Sequence, residues 1–312
     1  MHLVFSSTQH QGARSEQQDA YAVFASADEA FRRHGGELVV VADGMGGLAH
    51  GALASQTAVD RFVAAYQEKR PEESVARALS RSLEAANTAV YQLAAQKQVA
   101  GEMGTTLVAG AFLDSQLFWI SVGDSGVFYR PAKGPIRLLN TPHTLGAFLA
   151  QQAEKGLLRS EVAQTHPERD ALTCFLGLER ISQVDCNEKP LMLEPGDVVV
   201  FATDGLFKFL DQDAMEQTIP GDPATLAQRL VKRTLQLGHP QQDNITVVSA
   251  TRCKQANPVF STIASVIVIG GLIALFWFAK RWPGGPGQTQ TTSLPPVGEG
   301  QLARPTEKTP TP

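Results

Sequence analysis

Five aspartates sit where short apolar runs begin or end, and carboxylates gathered in that way can do metal chemistry. Asp43 follows ELVVVA and precedes Gly44, Asp124 follows LFWISVG, and Asp204 follows VVVFAT and precedes Gly205. Asp19 precedes Ala20 and the run YAVFA, and Asp243 shortly precedes ITVVSA. Taken singly, an Asp-Gly after a strand is a turn. Taken together, three acidic strand ends and two acidic strand starts share one edge of an antiparallel arrangement. Five anions at one rim repel at any dielectric below that of water, so their convergence implies a compensating cation. Oxygen donors with no His or Cys beside them point to Mg2+ or Mn2+ rather than Zn2+. Glycine next to a ligand lets the backbone approach, which adds the Gly44 carbonyl to the candidate donors.

The elements that must position these side chains are visible as apolar periodicity. Short apolar runs predict strands at 21–25, 38–42, 107–112, 117–122, 198–202 and 245–250. Leu53, Ala54, Thr57, Ala58, Phe62 and Val63 recur at helical spacing and predict a helix over about 51–69. Val75, Leu79, Leu83, Ala86, Val90 and Leu93 predict a second over about 73–98. A third is expected over about 223–237, with Asp222 as N-cap and Pro223 in the first turn. Helices bracketed by many short strands favour a mixed architecture with antiparallel sheets.

The bulk composition narrows the classes. The chain has 312 residues, 43% of them hydrophobic, enough for a large domain with its own core. Lys and Arg number 27 against 31 Asp and Glu, for a net charge of -4. Nothing in that balance suggests a nucleic-acid partner, and none is expected. Cys174, Cys186 and Cys253 are odd in number and widely spaced, which argues against a disulfide framework or a zinc knuckle.

Composition also divides the chain. Residues 1–253 read as the globular domain and 254–258 as a short linker. Residues 259–279, VFSTIASVIVIGGLIALFWFA, carry no charge among 21 positions. At about 1.5 Å per residue they span roughly 31 Å, the hydrocarbon thickness of a bilayer. Arg252 and Lys254 precede them and Lys280, Arg281 and Trp282 follow, as suits a transmembrane helix at its interfaces. Residues 280–312 are rich in Pro, Gly and Thr and read as a disordered tail. Basic residues on both sides leave the orientation open on charge alone. The polar N-terminus lacks a signal peptide, so a single-pass protein of the inner membrane with its domain in the cytoplasm is expected.

Read in order, the motifs resemble the bacterial metal-dependent protein phosphatases of the type 2C (PPM) family. They are Arg14-x-x-x-Gln18-Asp19, Val41-Ala-Asp43-Gly44-Met45-Gly46-Gly47, Gly104-Thr105-Thr106-Leu107 and Val122-Gly123-Asp124-Ser125. Further on come Leu172-Thr173-Cys174-Phe175-Leu176-Gly177, Gly196-Asp197, Thr203-Asp204-Gly205-Leu206 and Asp243-Asn244-Ile245-Thr246. Each is weak singly, and in this order and spacing they are highly specific across about residues 6–250. The resemblance implies an α+β fold, a four-layer α-β-β-α sandwich of two antiparallel sheets flanked by helices. It implies a two-ion Mn2+ or Mg2+ centre on Asp19, Asp43, Asp204 and Asp243 with the Gly44 carbonyl. A third, weaker ion would be held by Asp124, sharing Asp204 and Asp243. Arg14 would grip the substrate phosphate, and a metal-activated water would attack phosphorus in line without a phospho-enzyme. The implied partners are proteins carrying phosphoserine or phosphothreonine, and a Ser/Thr kinase whose work the enzyme opposes.

Some positions depart from the family pattern. Gln18 stands where the family usually has Asn or Glu, and Met45 where eukaryotic members carry a histidine. Leu48 stands where bacterial members often have His, with His50 two residues on as a candidate proton donor or a plain helix-start residue. Gly126 and Pro142 replace an arginine and an aspartate, and the flap segment 143–167 has no recognisable signature. None of these removes a metal carboxylate. That favours an active enzyme over the alternative, a pseudophosphatase that only binds phosphoproteins.

Overall fold

Successive side chains of a strand face opposite ways, and this alternation assigns the layers. The structure is a computed structural model, and it describes residues 2–46 and 50–254. One antiparallel sheet orders β1 (His2–His10), β12 (Ile245–Cys253), β11 (Val198–Ala202), β7 (Gly126–Arg130) and β8 (Arg137–Leu138). The other orders β10 (Leu191–Met192), β6 (Gln116–Val122), β5 (Leu107–Leu113), β3 (Glu37–Met45) and β2 (Asp19–Ala25). Two short strands extend it, β4 (Gly104–Thr105) on β3 and β9 (Asp185–Cys186) on β6.

In β3, Val39 and Val41 face the opposite sheet and pack with Val199, Phe201 and Val248. Their neighbours Leu38, Val40 and Ala42 face away, onto α2 (His50–Gln67) and α3 (Val75–Gln96) through Ala54, Phe62 and Leu83. β11 repeats the scheme. Val199 and Phe201 point inward, while Val198, Val200 and Ala202 pack on α7 (Gln212–Thr218) and α8 (Leu226–Leu235) through Met215 and Leu230. Three stacked cores therefore separate four layers, helix–sheet–sheet–helix, as expected for the family.

The predicted strands and helices are present with shifted ends. β3 runs on through Asp43 and Gly44 to Met45, because β4 pairs Gly44 with Thr105 and gives those residues a ladder partner. The helix expected over 223–237 is a 3-10 turn (Pro223–Thr225) leading into α8, with the Asp222 side chain accepting from Ala224 N. β1 escaped prediction because HLVFSSTQH is mostly polar. It forms through nine paired positions along β12 rather than through its own pattern. A short helix α1 (Glu29–Gly35), capped by Asp28, also had no periodic signal.

The flap segment folds as α4 (Leu145–Glu154) and α5 (Ser160–Thr165). No residue of α4 is buried. The flap is held at its base, where His143 N donates to Gly123 O at 2.9 Å and Thr144 bridges Leu172. Residues Met1–Gln255 form one compact unit. Among the described residues no helix is long and apolar enough to cross a membrane. The span expected at 259–279, the tail at 280–312 and Leu48 lie outside the described residues.

Candidate active site

The two sheets bring the acidic strand ends to one rim. β2 and β3 pair in a register that sets Asp19 directly opposite Asp43. Asp204 is the first residue of α6 (Asp204–Phe207), immediately past β11, and Asp243 lies two residues before β12. Asp124 follows β6. Asp43, Gly44, Asp124, Asp204, Asp243 and Arg14 all line one cavity of about 520 Å³. Asp19 lies beneath it, only 6% exposed.

Threonines and an asparagine hold this rim in place. The hydroxyls of Thr203 and Thr246 donate to Asp19 Oδ2 at 3.0 and 2.7 Å. Thr106 N and Thr105 Oγ1 both donate to the Asp43 carbonyl at 2.8 Å. Asn244 fastens the loop that carries Arg14. Its amide donates to Gln11 O at 2.8 Å and Glu16 O at 3.0 Å, and its Oδ1 accepts from Gln18 N at 2.7 Å. The same loop turns at Gly12, whose φ of +66 is left-handed and whose missing Cβ leaves room for the carbonyls of Gln242 and Asp243. Arg14 thereby reaches Asp243, with Nη2 2.7 Å from Oδ2, while its side chain stays 61% exposed.

Backbone approach is as tight as the glycines suggest. Gly44 N donates to Gln18 O at 3.1 Å, and a Cβ on Gly44 would overlap the carbonyl of Gly51 at the start of α2. A Cβ on Gly205 would overlap the carbonyl of Asn244. These contacts lock β2, β3, α2 and the loop before β12 into one frame around the acids.

Electrostatics register the crowding. Burial pushes Asp19 up to about 7, against hydrogen bonds from Thr246 and Thr203 that lower it, and Asp204 and Asp243 push it further. Burial also holds Asp43 well above the usual carboxylate range, reinforced by Asp19, Asp204, Asp124 and Asp243. Asp124 is pushed up to about 7 by burial and by Asp204, with Lys208 pulling it back. Asp19, Asp43 and Asp124 are thus raised by burial and by neighbouring carboxylates, and the site's demand for positive charge is large.

A divalent ion fits these donors. Asp19 Oδ1 and Asp204 Oδ1 are buried carboxylate oxygens with no hydrogen-bond partner, a costly state for an anion unless a cation is the partner. Among the described residues no three His, Cys, Asp or Glu side chains are already drawn up around a single point. The geometry accounts for that. Arg14 draws off Asp243 Oδ2, Lys208 Nζ holds Asp204 Oδ2, and Asp19 Oδ2 is tied to two threonines. Carboxylates that serve two ions jointly, with a carbonyl and waters as the other ligands, do not need three side chains on one point.

Among the charged residues of the cavity wall that the sequence motifs did not reach are Lys208 and Asp170. Lys208 stands four residues after Asp204, a spacing that pairs charges on one helix face and could have found it. Asp170 comes from just past the flap, a stretch with no pattern to follow.

The fold and the acidic rim define a metal-dependent protein phosphatase. A family model for protein phosphatase 2C matches residues 7–237, and the chain belongs to that family. It is 29% identical over 255 residues to the serine/threonine phosphatase stp of Listeria innocua, covering 81% of this chain and 96% of that one. The crystal structure of the Mycobacterium tuberculosis serine/threonine phosphatase PstP/Ppp superposes with a TM-score of 0.64 at 26% identity, over 81% of this chain and 99% of its own. A serine/threonine phosphatase of S. agalactiae gives a TM-score of 0.67 at 26% identity, over 80% and 100%.

Proposed function

We propose that this chain is an active phosphatase for phosphoserine and phosphothreonine in proteins, working with two Mn2+ or Mg2+ ions. Asp19, Asp43, Asp204 and Asp243 would hold the ions with the Gly44 carbonyl. The observation that carries this reading is the pair of buried, unpaired oxygens, Asp19 Oδ1 and Asp204 Oδ1, inside the five-aspartate cluster. When bound, the ions supply a water acidic enough to act as nucleophile near neutral pH and positive charge for the phosphate oxygens.

The chain's own groups do the rest. Arg14 sits at the open edge of the cavity with one of its five N–H donors on Asp243, leaving others for a phosphate. A guanidinium can bond two phosphate oxygens at once and meets the charge that spreads over them during transfer. The hydrogen bond that Arg14 donates to Asp243 keeps the guanidinium charged and aimed. Asn244 keeps its loop in register with the acids, so phosphate grip and nucleophile stay in line.

The test is phosphate release from a phosphothreonine peptide by the full chain with Mn2+. Release that stops in EDTA and returns with added Mn2+ is expected. Release undiminished by EDTA, or tight peptide binding with no release and no Mn2+ uptake, would overturn the reading, the latter in favour of a binding module. In the same assay Arg14→Lys keeps the charge but loses the fork. A fall of about tenfold to a hundredfold in kcat/KM is expected, with Mn2+ affinity unchanged.

The apolar, uncharged residues 259–279 support anchoring of this enzyme to the inner membrane, with the domain in the cytoplasm beside the kinase substrates it would reverse. An alkaline-phosphatase reporter fused ahead of the intact chain should stay inactive in cells. An active fusion would place the domain on the far side.

A further inference from the structure

Lys208 is the basic residue that the acidic cluster holds most intimately. It caps the C-terminal end of α6, one turn after Asp204, and its ammonium contacts Asp204 Oδ2. It shares the cavity wall with Asp124 and Asp170. All three carboxylates favour its charged form, against a burial that opposes it. Asp124 in turn is eased by Lys208. The family resemblance assigns this neighbourhood to a third, weaker divalent ion on Asp124, Asp204 and Asp243. The donors do not fit that assignment. Asp204 has one oxygen without a partner, Oδ1, which the two-ion reading uses, and Lys208 takes the other, Oδ2. A dication set between Asp204 and Asp124 would also lie against the ammonium, where like charges at close range repel.

We propose that Lys208 is the third cation of this site, a covalently tethered ammonium in the place of a third metal ion, so that the chain takes up two divalent ions and no third. The proposal rests on the two-ion reading above. Its charge count supports it. Five carboxylates are balanced by two dications and one ammonium, so the charge of Arg14 remains over for the phosphate. Asp170 has a cation of its own in Arg169, 3.7 Å away. A tethered charge is also always present, whereas a weak metal site fills only at high metal concentration.

The test is the number of Mn2+ ions bound, read by calorimetry and by the loss of the free-Mn2+ electron paramagnetic resonance signal. It uses the full-length chain in neutral detergent. Wild type and Lys208→Arg should each saturate with two ions. Lys208→Met, which removes the charge without adding a ligand, should gain a third, weaker site. Lys208→Asp should bind that third ion about tenfold more tightly than Lys208→Met does. Circular dichroism melts confirm that each variant is folded, and Lys208→Met carries the test if Lys208→Asp is not. A third ion on wild type with the same affinity as on Lys208→Met would overturn the proposal, and so would a folded Lys208→Met that stops at two. Wild type that takes up no Mn2+ would instead overturn the two-ion reading, and this proposal with it.

Discussion

Asp43→Asn gives a folded protein whose phosphate release drops by about a thousandfold or more. Asp43 stands opposite Asp19 in the β2–β3 register and lines the cavity with Asp204 and Asp243, among the carboxylates that would hold the proposed ions. An amide of the same shape keeps the strand but offers one neutral oxygen. Loss of several kcal/mol of charge stabilisation in the transition state corresponds to that factor. The same substitution removes one anion from a cluster of five. In EDTA the variant should therefore melt higher than wild type, by on the order of 1–3 kcal/mol of stability. Activity and chelated stability move in opposite directions, which is the mark of a residue kept for chemistry. Wild-type activity in Asp43→Asn would remove Asp43 from the metal centre.

Asp197 shows the contrast. It too belongs to a family motif, yet its oxygens accept from Tyr129 Oη at 2.8 Å, Ala132 N at 2.7 Å and Glu194 N at 2.8 Å. It joins β7 to the turn before β11 and does not reach the cavity. A buried carboxylate whose oxygens are filled by chain donors is structural. One with an oxygen left over, as at Asp19 and Asp204, has a donor to offer a cation. Nothing in the sequence separates the two kinds, because Gly-Asp reads the same at 123–124 and 196–197. Only the donors that the fold brings round distinguish them.

The same reasoning explains what was readable. Leu38 to Ala42 form an unbroken apolar run, as a strand buried on both faces must, so β3 was visible. Strand-end aspartates at five points revealed the rim because each was adjacent to such a run. β1 was invisible, since its stability comes from β12, more than 230 residues away in sequence, and not from its own side chains. Asn244 stood inside a quoted motif, but its clamp on Gln11 and Glu16 is a long-range hydrogen-bond pattern with no local trace. Lys208 went unread, although its spacing from Asp204 was there, and α6 turns it back over that carboxylate.

Without divalent metal, this protein should lose stability as pH rises from about 5 to about 7, and with saturating Mn2+ the trend should reverse. Asp19 and Asp124 are pushed up to about 7 and Asp43 well above its usual value, in each case first by burial and then by neighbouring acids. Between the ordinary carboxylate value and about 7 the folded protein therefore holds protons that the unfolded chain has released. Stability in that window falls as pH climbs, and is highest where these acids are protonated in both states. His143 and His34 act in the opposite sense. Burial lowers both, so the unfolded chain binds their protons more readily and stability rises with pH up to about 6.5. Three mutually repelling carboxylates outweigh two histidines, and a net loss of about 2–4 kcal/mol between pH 5 and 7 is expected. For a domain of this size that is a fall of roughly 5–15 °C in melting temperature. Mn2+ binds the ionised carboxylates and competes with their protons, so its stabilisation grows with pH and turns the slope positive. Melts at pH 5, 6 and 7 in EDTA and in excess Mn2+ measure both slopes. If the two run parallel, the raised carboxylates are not the residues that the metal occupies, and the acidic rim would have to be explained by something other than cation binding.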